Sequence, residues 1–491
     1  MKIEINRHSD IPIAQQIQEN IADRIRSNLL EEGSKLPSVR KLAEQTGVSL
    51  MTANKAYNHL EKQGLIEKVQ GLGTYVRKNS RTSKTENEKK LLSYDWQLTV
   101  TDYLPRAQYM QFNTGKEKIQ FSSSKIWPNL LPNRYLIKET IRILSEEPYI
   151  LSTYGEGRGD ITLRKEMSAY LKHLKIAIEP DDIVITNGVQ QGIDIVARSF
   201  VGPGDVVVTE TPTYSAAIDV FRGRGASIVS IPVDENGMRV DLLPSLKNKP
   251  KVIYTIPSFQ NPTGTLLSKK RRQLLLDFAQ SNEIIIIEDD SWSEIYFDSK
   301  PPLPIKSLDE YGHVIYLKGL SKTLSPGCRI GVMATSGTNL NRIIAAKTIT
   351  DLGTPLLNQK AVLSFLRSNR MKEHIKKLRI ALKLRRDRVI DLLTVYAPKE
   401  VTWIVPKGGV NIWISLPPWV DTNEMLFEAK KFGISFLPGS ACYPKEPAMN
   451  HLRLCFAAVD DQLLETGIKT LCKIFTTFIE ERHEESNMPL V

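Results

Sequence analysis

The sequence predicts an α/β protein with a small helical module in front of a large domain built on a mainly parallel sheet. Three observations predict it. Residues 1–78 carry apolar side chains at helical spacing between glycine stops. A polar, charged stretch without apolar periodicity begins at Arg77. From about Phe121, short apolar runs alternate with helical stretches, the pattern of a sheet covered on both faces. At 491 residues the chain exceeds one average domain and can bury a large core.

Composition narrows the function classes. With 41% hydrophobic and 25% charged residues, the chain reads as an ordinary soluble globular protein. No apolar run approaches membrane-spanning length, and Met1–Arg7 has no signal-peptide core, so a cytoplasmic protein without a membrane partner is expected. Cys328, Cys442, Cys455 and Cys472 show no CxxC spacing and read as reduced thiols, with no metal site. The net charge of +11 permits nucleic-acid binding without locating it. Residues 1–78 hold twelve Lys/Arg against nine Asp/Glu, so any DNA-binding claim there rests on pattern rather than charge.

The module comes first. Ile11, Ile17, Ile21, Ile25 and Leu29 give one amphipathic helix, stopped by Gly33. Pro37-Ser38 opens a second, with Ser38 as N-cap and Leu42 and Ala43 inward, and Gly47 stops it. Ser49 caps a third, whose inner stripe is Ala53, Ala56, Tyr57 and Leu60, with Gly64 at its end. Two helices across a tight glycine turn make a helix-turn-helix. Leu65–Val69 and Thr74–Val76 flank Gln70-Gly71-Leu72-Gly73 as a β-hairpin wing.

Leu36-Pro-Ser-Val-Arg40-Lys-Leu-Ala43, Val48-Ser49, Ala56-Tyr57, Leu60-Glu61, Gly64-Leu65 and Gly71-Leu-Gly-Thr74 resemble the winged helix-turn-helix of GntR-family bacterial regulators. That resemblance implies a double-stranded DNA partner met by Ser38, Arg40, Ser49, Thr52, Asn54, Lys55 and the wing glycines Gly71 and Gly73. Arg40 suits a bidentate contact to guanine, while Ser49, Thr52 and Lys55 suit phosphates. The competing reading makes Ser38 and Ser49 caps only. Leu50 and Asn54 stand where the family often has arginine, which leaves the operator sequence open.

In the large part, Ile183–Thr186, Val206–Thr209, Ile228–Ile231, Val252–Ile256, Ile284–Ile287, Val314–Leu317 and Val332–Ala334 read as strands. Ligands of such sheets sit beyond the strand C-termini, where the chemically suggestive residues fall. Ser321-Lys322-Thr323 follows the sixth run, with Arg329 seven residues on. A desolvated lysine there is nucleophilic, suited to a Schiff base with a phosphorylated aldehyde, and it reads equally as an exposed loop lysine. The turn after Thr186, with Gly188, Val189 and Gln190, offers helix N–H groups to a phosphate, though many such turns bind nothing. Asn261-Pro-Thr-Gly264 is a turn in any case, or a donor to a cofactor ring oxygen. Glu288-Asp289-Asp290 closes the fifth run, either as a salt-bridge end or as the partner of a protonated pyridine nitrogen.

Tyr154-Gly-Glu-Gly-Arg-Gly159, Gly188-Val-Gln-Gln-Gly192, Pro212-Thr-Tyr214, Asn261-Pro-Thr-Gly264, Glu288-Asp-Asp290, Ser321-Lys-Thr323 with Arg329, Pro406-Lys-Gly-Gly409 and Leu452-Arg-Leu454 resemble fold-type I pyridoxal-phosphate enzymes, the aspartate-aminotransferase-like class. The resemblance implies a pyridoxal 5′-phosphate cofactor joined to Lys322, and a small C-terminal α+β subdomain. It implies Asp289 at the pyridine nitrogen, Asn261 at the ring oxygen and Tyr214 stacked on the ring. Gly188, Val189, Gln190, Ser321 and Arg329 would hold the phosphate, with Tyr154 reaching the neighbouring subunit's site in a homodimer. Arg453 would clamp a substrate carboxylate. Ser291 and Trp292 stand where the family usually has a tyrosine, and Val189 and Gly319 where hydroxyl residues are common.

A GntR-type reader joined to an aminotransferase-like domain resembles the MocR/GabR-type subfamily of regulators. The expected order is a DNA-binding domain at 1–78, a linker at 79–119 and an effector and dimerisation domain at 120–480. The expected function is regulation through an amino compound, or the vitamin itself, sensed at the Lys322 aldimine. The alternatives are a working aminotransferase with a DNA-binding head, and a cofactor-free regulator.

Overall fold

The computed structural model describes residues 12–26, 30, 32–69, 73–77 and 117–486. Ile11, Leu29, Gly71 and all but the last three residues of the expected linker lie outside the described residues. The chain divides into two compact units, Met1–Pro105 and Arg106–Val491.

The first unit contains α1 (Ile13–Arg26), β1 (Lys35–Leu36), α2 (Val39–Thr46), α3 (Leu50–Lys62), β2 (Ile66–Val69) and β3 (Gly73–Val76). Local chemistry sets the helix ends. Ser38 Oγ accepts from the Lys41 N–H at 3.2 Å and caps α2, which stops at Gly47 in the left-handed region at φ 62°. Ser49 Oγ accepts from the Thr52 N–H at 3.1 Å and caps α3. Ile17, Ile21, Leu42, Ala53, Ala56, Tyr57, Leu60, Ile66 and Val76 form one buried cluster. The Tyr57 hydroxyl donates to the Pro37 carbonyl at 2.7 Å and fixes α3 against the turn before α2. The expected wing is present as antiparallel β2 and β3. β1 joins β3 on its other side, a two-residue strand too short for periodicity to reveal.

The second unit contains β4 (Ile119–Gln120), α4 (Asn133–Glu146), α5 (Ile161–Lys172), β5 (Ile183–Thr186), α6 (Val189–Phe200), β6 (Val206–Thr211), α7 (Ser215–Gly223), β7 (Ser227–Asp234), β8 (Gly237–Met238), β9 (Val252–Thr255), α8 (Lys269–Ser281), β10 (Ile285–Asp290), β11 (Val314–Gly319) and β12 (Gly331–Ala334). Then come α9 (Gly337–Thr350), α10 (Leu356–Arg367), α11 (Arg370–Tyr396), β13 (Thr402–Trp403), β14 (Asn411–Ser415), α12 (Thr422–Lys431), β15 (Ile434–Ser435), β16 (Leu437–Pro438), β17 (His451–Cys455) and α13 (Asp461–Ser486).

Eight strands form the main sheet in the order β5-β12-β11-β10-β9-β6-β7-β8. All seven expected strands are in it. β12 is antiparallel to both neighbours and β8 to β7, and the remaining pairings are parallel. β9 and β11 are buried along their whole length, which explains the apolar runs Val252–Tyr254 and Val314–Leu317 within them. A second sheet, β13-β14-β17-β16, is antiparallel and forms the expected small α+β part with α12 and α13. β4 pairs in parallel with β15, so the chain enters the second unit by adding a strand beside its own C-terminal third. Among the described residues, no helix is long and apolar enough to cross a membrane.

Candidate ligand site at the strand ends

Strand alternation builds the floor of the site. β10 ends in three consecutive acids, and successive side chains of a strand point to opposite faces. Glu288 accepts from the Ile305 and Lys306 N–H groups at 2.8 Å each. Asp290 meets Lys318 Nζ at 3.3 Å and also accepts from Tyr316 and Ser293. Asp289 faces a cavity of about 170 Å³, also lined by Val189, Gln190, Tyr214, Asn261, Ser321, Lys322, Arg329 and Arg453. Residues from six separate stretches of sequence thus meet in one place.

The charges there are tuned by burial. Burial raises the Asp289 carboxyl to about 6, although Ser291 Oγ and the Tyr254 hydroxyl donate to it at 2.8 and 2.9 Å and oppose that rise. Burial brings the Lys322 ammonium down to about 8, opposed by Cys455 and helped by Arg453 and Arg329. Lys322 lies 5.2 Å from the Trp292 ring centroid and donates to the Ser124 carbonyl.

Around this pair the remaining predicted residues take defined positions. Gly188 sits before the N-terminus of α6, and a Cβ there would lie 2.3 Å from Arg329 Nη2, so only glycine leaves room for the guanidinium. Arg329 itself has φ 53°, a left-handed backbone that is costly for a side-chain-bearing residue and marks a constrained position. It donates to the Asn187 carbonyl at 3.1 Å and to Ser321 Oγ at 3.4 Å. Arg453, 1% exposed, donates to Asn261 Oδ1 at 3.0 Å and to the Ser122 carbonyl. Its Nε is buried with no hydrogen-bond partner.

One predicted residue stands apart. Tyr154 is 82% exposed and does not line the cavity. It lies in an exposed apolar group with Tyr149 and Leu151, and the loop after it packs on the turn after α9, where a Cβ at Gly353 would meet the Gly155 carbonyl oxygen at 2.9 Å. Ser124 and Tyr254 are site residues that sequence reasoning did not assign to it, and Ser291, which stands where the family usually has a tyrosine, donates to Asp289. In the first unit, Ser38, Arg40, Ser49, Asn54, Lys55 and Gly73 are exposed and Thr52 is half-buried. Leu50 and Met51 are exposed at the start of α3.

Residues 129–471 match the family of class I and II aminotransferases, and residues 13–76 match the gntR family of bacterial regulatory proteins. The uncharacterized HTH-type transcriptional regulator YisV of Bacillus subtilis is 32% identical over 475 residues, covering 94% of this chain and 96% of that protein. The chain belongs to the MocR/GabR-type subfamily of GntR regulators.

The regulator's second unit also resembles solved enzymes. Kynurenine aminotransferase of Pyrococcus horikoshii, solved with PMP, is 34% identical with a TM-score of 0.70, covering 74% of this chain and 92% of the enzyme. The α-aminoadipate aminotransferase LysN of Thermus thermophilus, complexed with N-(5′-phosphopyridoxyl)-L-leucine, is 28% identical with a TM-score of 0.74, covering 79% and 99%.

Proposed function

We propose that this regulator binds double-stranded operator DNA through its N-terminal module and senses an amino compound through pyridoxal 5′-phosphate held at Lys322. The observation that carries this reading is the meeting of Lys322, Asp289, Asn261, Tyr214, Arg329 and Arg453 at one cavity of a chain that also carries a gntR-type head. The residues present fit the cofactor. Gly188 leaves open space for a cradle that Arg329, Ser321 and the α6 N-terminus would complete around its phosphate.

When bound, the cofactor supplies an aldehyde for amine exchange and a ring that accepts electron density. Asp289, ionised at neutral pH because its pKa lies at about 6, would keep the proton on the ring nitrogen. Lys322, brought down to about 8, has a useful fraction of neutral amine near neutrality. Asn261 would donate to the ring oxygen, and Tyr214 would stack on the ring face. Arg453 would pair with a ligand carboxylate through the fork that now holds Asn261 and Ser122.

In the head, Arg40 and the exposed first turn of α3 would enter the major groove, with Ser38, Ser49, Thr52, Asn54 and Lys55 at bases and phosphates and the wing beside them. Residues 79–119 would tether the two parts. The exposed Tyr149, Leu151, Tyr154, Ile349 and Leu352 would pack against a second copy, bringing each Tyr154 toward the other subunit's cavity. Two heads would then read paired half-sites. A ligand shifts DNA binding only by its different affinity for the two states of the chain.

A working aminotransferase is the second reading, favoured by the joint presence of Lys322, Asp289 and Arg453. The visible absorption spectrum decides. The purified chain with cofactor is compared with Lys322→Ala and titrated with a panel of amino acids. A lysine-dependent band perturbed without keto acid accumulating supports the sensor. Steady conversion with keto-acid product supports the enzyme, and no band at all defeats both.

A further inference from the structure

The two groups that would meet a ligand are already engaged by the chain itself. β4 enters beside β15, with the Ile119 N–H donating to the Gly433 carbonyl at 2.9 Å and the Phe121 N–H to that of Ser435 at 2.7 Å. The chain beyond β4 then reaches the cavity, which Ser124 lines. The Phe121 carbonyl accepts from the Cys455 N–H at 3.0 Å, and the Trp127 N–H donates to the Ala457 carbonyl at 2.7 Å. Between those two fixed points, Arg453 donates to the Ser122 carbonyl and Lys322 to the Ser124 carbonyl. Ser124 Oγ donates to Asn411 Oδ1 at 2.8 Å, and the Asn411 amide reaches Asn261 Oδ1 at 3.5 Å. The segment therefore holds both ends of the ligand site, and it is the first described stretch after the expected linker.

We propose that residues 119–125 are a built-in occupant of the ligand site, displaced in two stages by cofactor and by a primary amine bearing a carboxylate. The inference rests on the cofactor reading above and names its regulation. Joining the cofactor takes Lys322 away from the Ser124 carbonyl. A ligand carboxylate takes Arg453 away from the Ser122 carbonyl, helped by the buried Arg453 Nε, which has no hydrogen-bond partner within the chain. The first stage removes the Lys322 bond to the Ser124 carbonyl; in the second the ligand amine takes the cofactor and returns Lys322 as a free amine, so the lasting loss is the Arg453 bond to the Ser122 carbonyl. A ligand without a carboxylate performs no second stage, so the class of effector is set by Arg453.

The test is amide hydrogen exchange of the full chain, read on peptides covering residues 119–127 with β10 and β11 as internal reference. The probe ligand is aminooxyacetate, whose oxyamine condenses with the cofactor aldehyde as the Lys322 amine leaves, and whose carboxylate can reach Arg453. O-methylhydroxylamine repeats that exchange without a carboxylate. Exchange in 119–127 is expected to rise by roughly tenfold from the cofactor-free to the loaded chain, and aminooxyacetate, which frees Lys322 but engages Arg453, is expected to keep it raised. O-methylhydroxylamine, which frees Lys322 and leaves Arg453 on the Ser122 carbonyl, is expected to bring exchange back toward the cofactor-free value. The cofactor-free Lys322→Ala chain is expected to match the loaded wild type, with the reference peptides unchanged. Equal exchange in cofactor-free wild type and Lys322→Ala overturns the proposal, as do equal effects of the two oxyamines. If no lysine-dependent visible band forms, the cofactor reading fails, and the cofactor-free comparison still decides whether Lys322 restrains the segment.

Discussion

Lys322 and Asp289 carry opposite pH signatures, and both can be measured. Burial lowers the folded pKa of Lys322 to about 8, so its protonated form is the disfavoured one. Stability contributed by this group rises with pH between about 8 and the ordinary lysine value. The rate at which the cofactor attaches is expected to climb with pH with a midpoint near 8, followed by visible absorbance, and to vanish in Lys322→Ala. Burial raises the folded pKa of Asp289 to about 6, so its stability penalty as an anion is relieved as pH falls through that value. Cofactor affinity is expected to fall over the same range as the carboxylate is lost. Asp289→Asn should bind the cofactor about tenfold or more weakly at neutral pH and lose that pH dependence, checked by equilibrium titration. Both residues were legible because each closes an apolar run with a reactive group. Tyr254 and Ser124 were not, since their roles arise when separate stretches converge and no local spacing encodes that.

At the level of elements, α3 separates a capping role from a DNA role. Ser49 Oγ caps the Thr52 N–H, and aspartate is an equally good cap. Ser49→Asp is therefore expected to keep the thermal unfolding midpoint while lowering DNA affinity about tenfold through phosphate repulsion. Ser49→Ala should instead cost about 1 kcal/mol of stability. Arg40→Ala should weaken operator binding by about 1–3 kcal/mol and relax base preference at one position, read by gel shift against operator and mismatched DNA. The second and third helices of the head were legible from Ser38, Gly47, Ser49 and Gly64, because caps and stops act within a turn, and the first from its isoleucine spacing. Central strands such as β5, β9 and β11 were legible because burial on both faces favours near-continuous apolar runs. β1 and β8, two residues each, carry no period at all.

For the whole molecule, Ile349 and Leu352 are 86% and 68% exposed beside a loop that carries Tyr154. If this face joins two copies, Ile349→Glu is expected to yield monomers by sedimentation and to weaken binding to paired half-sites far more than to one half-site. The pairing of β4 with β15 also fixes an order of events. Every strand pairing and cap described in the head lies within residues 12–77, so the head can fold as soon as those residues are made. Ser122 and the Arg453 that grips it are 331 residues apart. During synthesis the reader of DNA is therefore complete long before the domain that would govern it, and a chain cut short before β15 would be a head without its regulator.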